Sequence, residues 1–184
     1  KYVQVGRRGG PAQTISHAVQ TVPKSEKAEW LARWLRTEAE GPVLVFCRTK
    51  IGADRLASSL SRMGIRTAAL HADRTQQQRM AAVEGFRTGT YPVLVATDIA
   101  ARGLDITQLE AVINVDISPD PATHTHRIGR TGRVDEAGWA FSLASLDEMG
   151  RVGQIEKELG FESAWQPLAG LTDFIVDPLV DAAV

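Results

Sequence analysis

Val43-Leu44-Val45-Phe46-Cys47 is an unbroken apolar run, cut off by Gly41-Pro42 before it and by Arg48-Thr49-Lys50 after it. So short a run between a breaker and a charged turn is typical of a strand buried on both faces. The pattern returns at Tyr91 to Ala96 and at Ala111 to Val115. Between these runs the apolar spacing switches to that of helices. Ala53, Leu56, Leu60 and Met63 line one stripe, with Gly64 placed as a C-terminal cap. Met80, Val83 and Phe86 line another, from about Gln76 to Arg87, with Gly89 after it. Strands that alternate with helices imply βαβ units, a mostly parallel sheet and helices on both faces, an α/β fold.

The remaining elements extend this order in both directions. Ile15 to Val22 reads as a first strand, and a helix follows from Pro23 and Ser25 to about Glu38, with Ala28, Leu31, Trp34 and Leu35 on its stripe. Trp30 and Trp34 on that helix would suit base stacking or packing; their distance in sequence from the strand ends favours packing. Arg66 to Leu70 is a third strand. Asp120-Pro121 starts a helix with a capping side chain and a proline at its first position. Trp139 to Leu143 is a strand, and Ser145 to Glu148 a capping box for a helix with Met149, Val152, Ile155 and Leu159 inward, closed by Gly160. The expected organisation is a basic Gly-rich linker over 1–14 with a short strand at Tyr2–Val5, one domain over 15–160, and an apolar, Pro-punctuated tail over 161–184.

The formal net charge is −1, so any nucleic-acid contact must come from a local basic strip. One cysteine, Cys47, excludes an internal disulfide and fits a reducing cytosol, which makes a cytoplasmic protein the expectation. No apolar run approaches membrane-spanning length, and no signal-peptide pattern opens the chain, so no membrane partner is expected.

In parallel sheets ligands sit at the carboxyl ends of the strands. The polar residues there are Arg48-Thr49-Lys50, His71-Ala72-Asp73, Thr97-Asp98 and Asp116. Further along, His126-Arg127-Ile128-Gly129-Arg130-Thr131-Gly132-Arg133 sets three arginines three residues apart, on one face if helical. Read on its residues alone, the octamer is either a phosphate site, which suits the planar guanidinium fork, or a solvated basic helix end. The chain has no Gly-x-x-x-x-Gly-Lys-Ser/Thr loop, no Asp-Glu-Ala-Asp box, no Gly-x-Ser-x-Gly and no metal-spaced Cys/His set.

Taken in order, these pieces resemble the second RecA-like domain of DEAD-box RNA helicases, of bacterial type. Val43 to Lys50 is similar to the family's motif IV, and Gln76-Gln77-Gln78-Arg79 to its Gln-x-x-Arg element. Val93-Leu94-Val95-Ala96-Thr97-Asp98-Ile99-Ala100-Ala101-Arg102-Gly103-Leu104-Asp105-Ile106 resembles motif V, and His126 to Arg133 motif VI. The resemblance implies a RecA-like three-layer sandwich that works as the C-terminal half of an ATP-dependent RNA helicase. It implies Arg130 and Arg133 as arginine fingers, with His126 coupling them to the partner domain's acidic box, and Arg127 supporting that interface and grouped with Gly103 and Asp105 at the nucleotide. Asp105, after the Gly103 turn, would accept hydrogen bonds from the ATP ribose. Thr49, Arg79 and Thr97 would hold RNA phosphates. ATP and Mg2+ would be held mainly by an N-terminal RecA-like domain, the partner along with RNA. Three positions depart from the family pattern: His124 where an aromatic is usual, Val134-Asp135 where a small residue and glycine are usual, and His71-Ala72 in place of His-Gly.

Overall fold

The computed structural model describes residues 15–104, 106, 109–131 and 138–159. The strand expected at Tyr2–Val5, the cap at Gly160, the tail over 161–184, and Asp105 and Arg133 lie outside the described residues. Six strands form one sheet: β1 (Ile15–Thr21), β2 (Val43–Phe46), β3 (Thr67–Leu70), β4 (Val93–Ala96), β5 (Ala111–Asn114) and β6 (Gly138–Ala144). Their spatial order is β1-β6-β5-β2-β4-β3, and every neighbouring pair is parallel. The helices are α1 (Lys27–Thr37), α2 (Lys50–Arg62), α3 (Gln76–Arg87), α4 (Asp98–Ala101), α5 (Pro121–Ile128) and α6 (Met149–Leu159).

The apolar runs explain the layers. Side chains alternate across a strand, so a run apolar at every position must be covered on both sides. Val43, Val45, Val93, Val95, Ala111 and Ile113 face Trp30, Leu31 and Trp34 of α1 and Leu56 and Leu60 of α2. Leu44, Phe46, Leu94, Ala96 and Val112 face Ala82 and Phe86 of α3 and Ala100 and Ala101 of α4. In register, Val45 is flanked by Val95 on β4 and by Ile113 on β5, which makes β2 the centre of the sheet. Trp34 packs its ring 5.2 Å from that of Phe141, so the tryptophans of α1 are core. Burial pushes the Cys47 thiol up to about 12, which leaves it an inert apolar residue.

Three sequence expectations change. The first helix begins at Lys27, because Pro23 opens a separate turn in which the Glu26 N–H donates to the Pro23 carbonyl. The capping box at Ser145 and Glu148 is present, but its first turn is a 3-10 turn (Leu146–Glu148) ahead of α6. Met80, expected inward, is 64% exposed: residues 76 to 81 of α3 are exposed or half-buried, and full burial begins at Ala82. Gly64, Gly89 and Gly103 take positive φ of 83°, 75° and 75°, the left-handed conformation in which glycine carries no Cβ penalty. Among the described residues no helix is long and apolar enough to cross a membrane.

Candidate functional site at the carboxyl edge

The ends of β2, β4 and β5 meet around one side chain. Arg127 of α5 is 1% exposed, and its planar fork is held on both edges. Nε donates to Asp98 Oδ1 at 2.6 Å and Nη2 to Asp98 Oδ2 at 2.8 Å, a bidentate pair with the first residue of α4. Nη1 donates to Asn114 Oδ1 at 3.1 Å and to the Asp116 carbonyl at 2.8 Å. The guanidinium carbon also lies 5.1 Å from the centre of the Phe46 ring. Asn114, itself fully buried, passes the connection to β6 through Nδ2 and Ser142 Oγ at 3.1 Å. Asp116 Oδ2 in turn accepts from the Arg48 N–H at 2.8 Å. A charge this deep is tolerable only because it is paired and hydrogen-bonded on every side.

This geometry corrects two sequence expectations. Arg127, grouped by resemblance with the nucleotide-contacting residues, is enclosed by its own domain and braces the three strand ends instead. Nor do Arg127 and Arg130 share one helix face: α5 ends at Ile128, Gly129 caps it, and the Arg130 N–H donates to the Arg127 carbonyl in a tighter turn. The octamer therefore divides. Arg127, Ile128 and Thr131 are buried, with Thr131 Oγ1 donating to the Leu109 carbonyl at 3.0 Å. His126 is exposed, and Arg130 is half-buried with Nη1 donating to the Leu104 carbonyl at 3.3 Å. That carbonyl directly follows the left-handed Gly103. The guanidinium of Arg130 thus stands beside the turn that leads to Asp105, held among the described residues by a single long bond.

The departure at His124 has a structural reason. The ring is 3% exposed, and burial, with the nearby Arg127 charge, pulls its pKa down to about 4. It is a neutral aromatic at physiological pH and fills the place of one.

The phosphate candidates lie on the same edge with different access. Thr49 is exposed and caps α2: its Oγ1 accepts from the Gly52 N–H at 3.0 Å, which leaves the hydroxyl proton free to donate outward. Thr97 is buried, and its N–H donates to the Leu70 carbonyl at 3.2 Å, tying the end of β4 to that of β3. Arg79 is half-buried, and its Nε has no hydrogen-bond partner among the described residues. It lines a cavity of about 480 Å³ with Leu70, Met80, Val83 and Leu104. Arg79 follows directly on a capping box between Thr75 and Gln78 that sequence reading passed over, although a Thr-x-x-Gln spacing announces it. Among the described residues no group of three or more His, Cys, Asp or Glu is placed to hold a metal ion.

A six-stranded parallel sheet with an arginine motif at its carboxyl edge is a specific arrangement, and comparison with known proteins places it in a family. The model of the helicase conserved C-terminal domain matches residues 26–135. The chain is similar to DEAD-box ATP-dependent RNA helicase 24 of Oryza sativa subsp. japonica, at 42% identity over 83% of this chain and 20% of the relative. It is 36% identical to a probable ATP-dependent RNA helicase, ddx42, of Dictyostelium discoideum, over 99% of this chain and 18% of the relative. Among solved structures it superposes on the E. coli DEAD-box protein SrmB bound to the regulator RraA with a TM-score of 0.78, at 29% identity over 84% of this chain and 91% of that one. The chain belongs to the helicase conserved C-terminal domain family, and the relatives it resembles are DEAD-box RNA helicases. It spans about a fifth of the length of the curated relatives it matches. The bacterial type expected from the motif wording has no support in these relatives, which come from a plant and an amoeba.

Proposed function

We propose that this domain is the arginine-supplying half of an ATP-dependent RNA helicase. Hydrolysis of ATP spreads negative charge over the transferring phosphoryl group, and a guanidinium delivered from outside stabilises it. The observation that carries the reading is the placement of Arg130. It stands at the carboxyl edge, tethered among the described residues only to the Leu104 carbonyl, while Arg127 three residues earlier is locked inside. One long bond is easily exchanged for a phosphate when a partner domain closes. His126, exposed on the same segment, would touch that partner. Arg133 and Asp105 take the roles of second finger and ribose acceptor by resemblance. ATP and Mg2+ would be held mainly by an N-terminal RecA-like domain. RNA would be gripped through Thr49, Arg79 and Thr97 by its backbone, as unwinding without sequence preference requires.

In the full-length protein that carries this domain, Arg130→Ala should cut RNA-stimulated ATP turnover by about 10³-fold or more, the range of an arginine finger. Affinity for a labelled oligouridine should stay within about threefold, well under ~1 kcal/mol. Unchanged turnover would refute the assignment. A second reading concerns the fragment of 184 residues by itself, whose sequence holds no phosphate-cradling loop. Alone it would act as a weak RNA- or protein-binding module, and clear ATPase activity of the purified fragment would count against that.

A further inference from the structure

Between the two most accessible phosphate candidates, Thr49 and Arg79, the structure holds a cluster of charges that the activity does not use. Lys50 and Asp54 are one helical turn apart on α2, so they share a face. Both reach across to the loop that joins β3 to α3. Lys50 Nζ donates to Asp73 Oδ1 at 2.6 Å. Asp54 Oδ1 accepts from His71 Nε2 at 2.9 Å and from Arg74 Nη2, while Arg74 Nε lies 3.3 Å from the same ring nitrogen of His71. Three of the five residues from His71 to Thr75 are thus tied to one face of α2. Thr75 then opens the capping box that starts α3 and sets Arg79 at its first turn.

We propose that Asp54 is a positioning residue for RNA binding: by fixing His71 and Arg74 it sets the spacing between the Thr49 cap and Arg79. This rests on the reading that these residues hold an RNA backbone. Two magnitudes favour geometry over stability as the purpose. The side chains of Asp54 and Arg74 are 43% and 36% exposed, and ion pairs so open to water contribute only about 0–1 kcal/mol to folding. A constellation of phosphate contacts, in contrast, tolerates errors of only about half an ångström. Burial opposes ionisation of Asp54, but the hydrogen bonds from His71 and then Arg74 outweigh it and hold its carboxyl below the usual range. The carboxylate is therefore charged under all conditions in which RNA would bind.

That charge gives the test its sign. A carboxylate that merely sits near a phosphate site repels RNA, so removing it should tighten binding. A carboxylate that positions the site should weaken binding when removed. In the full-length protein, Asp54→Ala is expected to bind a labelled oligouridine about tenfold more weakly, ~1.4 kcal/mol. The RNA concentration for half-maximal ATP turnover should rise in step, with turnover at saturating RNA unchanged and the melting temperature lowered by less than about 3 °C. Adding Arg74→Ala should cost little more, because both substitutions break one connection. Tighter or unchanged RNA binding in Asp54→Ala, or losses that simply add in the double variant, would overturn the proposal. Wild-type protein that binds no RNA would refute the helicase reading itself, a distinguishable outcome.

Discussion

Arg127 and Arg74 each hold a carboxylate across the same edge of the sheet, yet the side chain of one is 1% exposed and that of the other 36%. Around Arg127 the partners are Asp98 of α4, Asn114 of β5, the Asp116 carbonyl just beyond it and the Phe46 ring of β2. Around Arg74 they are Asp54 of one helix, open to water, and the buried His71 of one loop. The difference lies in what each cluster can be asked to do. A buried ionic network is costly to disturb, so it defines where the strand ends are and cannot be adjusted piecemeal. A rim network contributes little to folding, so it can be kept for the geometry it imposes on the loop rather than for stability. The edge is built as an inner ring around Arg127 that holds the fold and an outer one around Asp54 that holds the loop between β3 and α3 in place.

The largest effect that follows is on the inner ring. Arg127→Ala should destabilise the domain by about 3–5 kcal/mol, since it strips the half-buried Asp98 carboxylate and the buried Asn114 Oδ1 of their partner. Arg127→Lys should recover little, because an ammonium cannot serve Asp98, Asn114 and the Asp116 carbonyl together as the fork does. Chemical denaturation of the purified domain measures both. If Arg127→Ala cost no more than Arg74→Ala, the distinction between the rings would collapse.

The sequence carried the layers well and the inner ring poorly, for physical reasons. A run such as Val93 to Ala96, apolar at every position, has only one comfortable home, between two layers. Caps at Asp120 and Ser145 are written in adjacent residues and were legible for that reason. What α4 would do was not: four residues, Asp98 to Ala101, are too few for a helical period to register. Arg127 was misassigned because its partners Asp98 and Asn114 lie 29 and 13 residues away, and periodicity says nothing about pairing at such distances. The same applies to Lys27, an apparent surface lysine at a helix start. It is 5% exposed, with Nζ donating to the Val115 carbonyl and to Glu148, 121 residues on. Motif spacing brings these residues to one edge, and only the folded chain separates the buried ones from the accessible ones.

A smaller effect probes the inner ring by pH. His124 titrates at about 4 in the folded domain, below its ordinary 6.5, because burial and then the Arg127 charge oppose protonation. As pH falls through 6.5 the unfolded chain takes up the proton first. The stability due to the neutral ring is therefore complete above about pH 6.5 and is lost progressively toward pH 4. Between pH 8 and pH 5 this residue should account for a loss of about 2 kcal/mol. His124→Phe should flatten that part of the profile, measured as the difference in denaturation free energy between the two proteins across the range. Parallel profiles would show that His124 charges freely and that Arg127 is not the close neighbour the structure makes it.

The smallest effect sharpens the outer ring. Replacing glycine by alanine inside an exposed helix ordinarily stabilises by about 0.5–1 kcal/mol. Gly153 in α6 meets that condition, since a Cβ there would touch nothing within 4 Å. Gly52 in α2 does not: its Cβ would lie 2.9 Å from Thr49 Oγ1, the atom that accepts from the Gly52 N–H. The hydroxyl would have to swing away, and the lost cap costs about 1 kcal/mol, which offsets the gain. Gly153→Ala should therefore raise the melting temperature by a few degrees while Gly52→Ala leaves it nearly unchanged. If the two rise together, the Thr49 cap contributes nothing to α2. Its hydroxyl would then be held for an outside ligand by no more than its own rotamer.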